Sequence, residues 1–538
     1  MRYAKNVAVA SLLLFGAAAC GDLEVDNTLA PDADRALANP GDVASLIGGS
    51  WATWWNMTYN FNGAAPMLST MSFQHSAWPA NFGMVHYSSI PRVPVTNSTA
   101  HDFYGNWANM YTWGYRTIAA ANDGLRAIYG GIDLGEDAAM AEAFARFMQG
   151  LGYGSLALIF DQGSIVDETT DLTGDLPAVG YQEMMDAAIG YLDQAIAIAS
   201  ANSFEVPSAW THSEATLTSA LLARVASSYK ARFRAGVART PEERAAVDWN
   251  AVLADVNAGV TSDFNYEFDG TGNSWNASVY YGLLFGWGQM NYFVHGMADQ
   301  SGRYQEWLSI PVADRVPDLP SGPFLIDTPD LRFPQGATQM EQIEDGAERS
   351  GQVRFRIPHS ASGTPLHFQG AVGSQWGRPD RGTWRWSYYR DARTAPMVDV
   401  GVSPDIAMAE MNTLAAEAHY RLGNPGAAAE LVNITRTAAG LNATDAAGTN
   451  TSCVPRLPDG TCGDLFEMMK WEKRMEAGHN SGYLSALWYF EGRGWGDLMQ
   501  GTILNWPVPA RDAELAGLPI VEYGGSMEWG APVGTYGY

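Results

Sequence analysis

MAEMNTLAAEAHYRLGNPGAAAELVNITRTAAGL, residues 408–441, is the stretch that decides the fold. From Pro404 on, Met411, Leu414, Ala415, Ala418 and Leu422 recur at helical spacing on one apolar face until Gly423 stops the helix. Asn424 and Pro425 then occupy the cap and first-turn positions of a second helix, whose stripe of Ala428, Leu431, Thr435 and Ala438 closes at Gly440. A helix, a tight turn and a second helix, with small residues where the two cross, form a hairpin that buries its own seam.

That hairpin has the geometry of a tetratricopeptide-like unit, although no strict repeat period accompanies it. Outward from it, helical stripes recur over Asp42–Trp55, through Met110, Trp113, Thr117, Ala120 and Leu125 to Gly130, and over Ala139–Phe160. They continue over Tyr181–Ser200, Ser213–Arg234 and Pro241–Gly259, joined by short connections. Between about 261 and 400 the stripes fade and Gly, Pro, Trp, Tyr and Arg take over. The expected fold is therefore mainly α: tetratricopeptide-like helix pairs in a right-handed superhelical scaffold, with a long loop-rich insertion and few short strands. One domain spans 41–538, helical over 41–260 and 401–538, with the insertion at 261–400. Loops of that length are uncommon unless functional, so the insertion is the place to seek a binding surface.

The N-terminus reads differently. Arg2 and Lys5 precede a short apolar run, Val7–Phe15, which makes residues 1–19 a signal peptide. Gly16, Ala17, Ala18 and Ala19 lead directly to Cys20, a spacing that resembles the bacterial lipobox, with Ala17 where Leu is usual. Lipidation of Cys20 would leave residues 20–40 as a tether, and two or more acyl chains anchor stably; secretion without lipid is the alternative. Cys453 and Cys462 bracket VPRLPDGT, and a disulfide is expected there, with two free thiols the alternative.

The formal net charge of -26 argues against nucleic acid as a partner, because phosphate binding needs a basic face. The sequence carries no GxSxG, Walker loop, HExxH, calcium loop or Rossmann fingerprint, so neither cofactor nor metal is expected. His75, His86 and His101 are close in sequence but not at ligand spacing. Glu472 and Glu476 share a helical face behind a capping pair, Asp464 and Glu467. Paired carboxylates serve glycoside hydrolysis, whereas the structural alternative is an ion pair with Arg493 or the capping of neighbouring backbone.

The aromatic load, 19 Trp, 24 Tyr and 20 Phe, is the feature that points to a ligand. Sugars pack their C–H faces on aromatic rings while amides and charged groups take their hydroxyls. FQHSAWPANFGMVHY (73–87) offers His75, Trp78 and Asn81, and GNSWNASVYYGLLFGWGQMNY (272–292) offers Trp275, Tyr281, Trp287 and Asn291. QWGRPDRGTWRWSYYR (375–390) offers Trp376 and Arg378, although its apolar-cationic alternation also suits a strand with one buried face. For any single ring, core packing is the competing explanation.

Four segments together resemble the RagB/SusD class of nutrient-uptake lipoproteins: residues 106–128, residues 141–166, the hairpin at 408–441, and MMKWEKRMEAG (468–478) with FEGRGWGDLMQGTILNWPVPARDAEL (490–515). Residues 477–489 separate parts that are usually nearly continuous in that class, and the central insertion has no counterpart in that likeness. The resemblance implies a lipid-anchored protein at the outer-membrane surface that captures an oligosaccharide or another oligomeric nutrient. It also implies delivery to a SusC-like TonB-dependent transporter, with no bond made or broken. A secreted glycan-active hydrolase using paired carboxylates and a helical adaptor for other proteins are the competing functions.

Overall fold

The structure, a computed structural model, describes residues 37–60, 63–75, 83–87, 89, 92–269, 291–311, 318–319, 322–323, 325–349, 352–357, 382–383, 400–478 and 482–525. Its first half is a succession of helices: α1 (Pro40–Tyr59), α2 (Ala64–Met71), α3 (Tyr104–Tyr129), α4 (Ala138–Ile159), α5 (Tyr181–Ala201), α6 (Ser219–Gly236) and α7 (Trp249–Ala258). Strand β1 (Phe264–Asp269) opens the insertion, which holds α8 (Gln339–Glu348), β2 (Phe355–Arg356) and β3 (Gly382–Thr383). Strand β4 (Val400–Ile406) closes it, ahead of α9 (Met408–Arg421), α10 (Pro425–Ala438), α11 (Leu465–Glu476) and α12 (Leu487–Trp495). The architecture is mainly α, with tetratricopeptide-like helix pairs and two-stranded sheets among the described residues.

Each helix packs on its predecessor from α3 through α7, α1 covers α3 and α4, and α9 joins the two halves by touching α7, α10 and α11. Helix α4 is buried along nearly its whole length, which its sequence of Ala, Gly, Leu and Phe permits. Close approach is built in: a Cβ on Gly114 would lie 2.6 Å from Leu156, and one on Gly150 would lie 2.6 Å from Leu192. Of the 19 tryptophans, Trp51, Trp54, Trp107, Trp307, Trp471 and Trp506 are among the largest fully buried side chains, so core packing takes part of the aromatic load.

The helix ends follow local chemistry. Gly423 at φ +81° and Gly440 at φ +79° turn the chain after α9 and α10 in the left-handed region that glycine tolerates. Three boundaries depart from the sequence expectation. Thr218 caps α6 through Leu221 N–H, so the helix starts at Ser219 rather than Ser213. Residues 241–259 form two helices because Thr240 caps one through Glu243 N–H and Asp248 caps the other through Ala251 N–H. Pro404 lies in β4, whose antiparallel register Phe264↔Ile406 to Asp269↔Val400 joins the entry and exit of the insertion. Asp464 accepts from Glu467 N–H, but Glu467 turns to Lys470 Nζ at 2.6 Å, leaving half a capping box.

Ion pairs out of water lock the second half. Arg232 grips Glu410, linking α6 to α9, and Arg244 bridges Glu417 and Glu491, linking α9 to α12. Lys473 reaches Glu491, while Lys470 and Arg474 share Asp497. Each charge needs its partner there, because an unpaired buried charge costs several kcal/mol. Cys453 and Cys462 are joined as a disulfide.

Candidate functional site

Two of the aromatic-rich stretches meet in space. At the end of α2, Phe73 adopts φ +60°, a left-handed conformation unusual for a bulky residue, and its ring stacks on Phe293 at 4.9 Å between centroids. Phe293 follows directly on the second stretch and packs edge-on to Trp307 at 5.1 Å. Arg92 lies over the Phe73 ring at 4.7 Å and donates to Met71 O and Tyr87 O, so one guanidinium staples both ends of the 72–86 segment. Its Nε donates to Thr502 Oγ1, tying that segment to the C-terminal part of the chain.

The third stretch joins the same floor. Strand β2 pairs Phe355 with Thr383 and Arg356 with Gly382, and Gly382–Thr383 lies inside residues 375–390. Phe355 packs on Phe333 at 5.0 Å, and Phe333 lies 6.5 Å from His295 and 6.2 Å from Trp471. An aromatic floor therefore runs from Phe73 through Phe293, Trp307, Tyr292 and His295 to Phe333 and Phe355; the first two aromatic stretches reach it at an end, and the third reaches it at Gly382–Thr383, within its length. All seven of these aromatic residues are buried, so they form packed support rather than face a ligand.

Of the nine ligand candidates read from the sequence, His75 and Asn291 are described, and both are buried. Burial lowers the His75 imidazole to about 4, so it is uncharged at neutral pH. The Asn291 carboxamide accepts from Phe293 N–H at 3.0 Å, which orients the turn that delivers Phe293. These two side chains belong to the floor. Trp78, Asn81, Trp275, Tyr281, Trp287, Trp376 and Arg378 lie outside the described residues, as does Cys20.

His86 and His101 are adjacent, with ring centroids 5.5 Å apart, and His101 Nδ1 accepts from Phe103 N–H. Burial and the neighbouring His101 both lower the His86 pKa. Among the described residues no group of three or more His, Cys, Asp or Glu side chains is placed to hold a metal ion. No helix there is long and apolar enough to cross a membrane.

The paired carboxylates have a different partner from the one expected. Arg493 donates to Leu504 O and Gly236 O, whereas Glu472 takes Arg332 at 2.8 Å and Glu476 takes it at 3.4 Å. Glu472 is fully buried; burial pushes its carboxyl up, against the opposing pull of Arg332. A residue enclosed in this way cannot present an acid to a substrate. Two open clefts lie elsewhere: one of about 280 Å³ between α5 and the residues after α6, and one of about 350 Å³ beside α10. Neither is lined by a candidate from the aromatic stretches. Arg332 and Arg354, which line the second, carried no sequence signal beyond the alternation of basic and apolar residues in LRF and RFR.

No protein-family model matches the sequence, and no curated protein does. Solved structures do match its fold. A SusD superfamily protein from Bacteroides vulgatus superposes with TM-score 0.53 at 12% identity, over 88% of this chain and 97% of that one. A SusD-like carbohydrate binding protein from Bacteroides fragilis gives 0.51 at 13% identity, over 93% and 95%. Surface glycan-binding protein A from Bacteroides uniformis gives 0.51 at 12% identity, over 87% and 92%. The chain has the SusD-like fold.

Proposed function

We propose that this protein of SusD-like fold captures an oligosaccharide with the aromatic-rich stretches that meet at the Phe73–Phe293–Phe355 floor and passes it on without chemical change. The observation that carries the reading is the convergence of three aromatic-rich stretches, far apart in sequence, on that one floor. Aromatic rings with amides and charged groups beside them suit the alternating C–H and hydroxyl faces of sugars. The carbohydrate- and glycan-binding descriptions of structures with the same fold point the same way.

In this reading Trp78, Trp275, Tyr281, Trp287 and Trp376 supply stacking surfaces, and Asn81 and Arg378 supply hydrogen bonds. Diacylglycerol on Cys20 holds the protein at the outer-membrane surface, where a SusC-like TonB-dependent transporter receives the ligand. The helical halves, stiffened by their buried ion pairs, form the body that docks. Glycan-array binding with the purified chain tests the reading. Binding to a defined set of oligosaccharides, lost in Trp78→Ala and Trp287→Ala at unchanged melting temperature, is the expected result. Wild-type affinity in both variants would overturn the placement of the site.

A further inference from the structure

The cleft beside α10 lies apart from the aromatic stretches and has its own chemistry. Its walls are fixed by main-chain bonds: Leu331 N–H donates to Ala439 O at 2.9 Å, and Arg354 N–H donates to Arg332 O at 2.8 Å. Leu331 and Ile434 stand 42% and 52% exposed along it, a small aliphatic wall left in water. Arg332 is committed, held by both oxygens of Asp330 and by Glu472, with Glu476 at 3.4 Å.

Arg354 is different. Among the described residues its guanidinium makes one ion contact, Nε to Glu476 Oε2 at 3.8 Å, and its side chain is 31% exposed. Its two Nη groups, the fork that fits a carboxylate, make no hydrogen bond or ion pair among the described residues. Arg354 Nε and Thr435 Oγ1 lie out of solvent beside the same cleft without a hydrogen bond, and unmet buried polar atoms are costly. Among the described residues, three guanidinium groups (Arg332, Arg354, Arg436) face three carboxylates (Asp330, Glu472, Glu476), so the charges described here balance in a chain of net charge -26. An anion is repelled less here than over an average part of this surface.

We infer that this cleft is a second ligand site, for one residue of an acidic sugar of the hexuronic class. The carboxylate lies on the Arg354 fork, hydroxyls reach Glu476 and the Gln352 carboxamide, and a C–H face packs on Ile434 and Leu331. A volume of about 350 Å³ is ample for one sugar ring with its substituents. The site is independent of neutral-oligosaccharide capture, so either proposal stands if the other fails.

Ligand-observed NMR titration of the full chain tests it, with glucuronate, its uncharged methyl ester, glucose and acetate as probes. Glucuronate is expected to bind at least tenfold more tightly than the ester, glucose or acetate. Arg354→Gln should reduce glucuronate affinity at least tenfold, with Arg354→Lys intermediate and melting temperatures unchanged. Equal affinity for acid and ester, acetate matching glucuronate, or an unaffected Arg354→Gln variant would each overturn the assignment. The acid-ester comparison uses only the wild-type chain, so it stands whatever the variants do to folding.

Discussion

Replacing Glu417 by Gln should destabilise the protein in a way that depends on pH. The Glu417 carboxylate has no exposed surface; it accepts from Arg244 Nε at 3.0 Å and Nη2 at 2.6 Å, from Arg421 Nε at 2.9 Å and from Trp495 Nε1 at 3.2 Å. Burial alone would push its pKa up, but Arg244, Arg421 and Lys473 outweigh it and bring the group from 4.5 down to about 2. At about 1.4 kcal/mol per pH unit, that difference corresponds to about 3 kcal/mol of stability at neutral pH. Removing one partner of a buried ion pair costs roughly 3–5 kcal/mol, so two independent routes agree.

The sign follows from a depressed acid. The native state holds the proton less tightly than the unfolded chain, so this stability is complete above pH 4.5 and drains away as pH falls toward 2. Urea unfolding followed by tryptophan fluorescence should show Glu417→Gln less stable than wild type by about 3 kcal/mol at pH 7, shrinking to about half of that at pH 3. A difference below about 1 kcal/mol at pH 7, or one unchanged at pH 3, would refute the argument that Arg244 holds an ionised Glu417 in the core.

Phe293→Ala should cost roughly 3–5 kcal/mol by removing a ring that packs on both Phe73 and Trp307, and should weaken oligosaccharide binding along with it. Chemical denaturation and calorimetric titration read the two effects. Cys453→Ser with Cys462→Ser opens a loop of sequence separation 9, and loop-closure entropy sets the loss near about 2–3 kcal/mol, measured as a shift in the urea midpoint. Cys20→Ser should abolish incorporation of labelled palmitate and release the protein from the membrane fraction; retention of label would remove the anchor from the proposal.

The α9–α10 hairpin was legible because its signals are local: an apolar period, Gly423 and Gly440 as stops, and Pro425 as a start. Pro404 misled for the opposite reason, since β4 is created by pairing with β1, a segment 131 to 139 residues earlier at Asp269↔Val400 to Asn265↔Pro404 and invisible to periodicity. The partner of Glu472 escaped notice in the same way, because Arg332 belongs to a loop 140 residues upstream. His75 reads as a polar loop residue, yet a left-handed turn at Phe73, a conformation no Phe advertises, accompanies its burial. The meeting of three aromatic stretches on one floor is likewise a long-range fact, whereas the stretches themselves stand out in composition alone.

Calorimetric titration of the purified chain with the oligosaccharide that scores highest on a glycan array, followed by chromatography of the recovered sugar, bears most directly on the proposed role. Saturable heat with the sugar recovered intact after prolonged incubation is the predicted outcome. Shortened products, or the absence of saturable binding to any oligosaccharide tried, would contradict it.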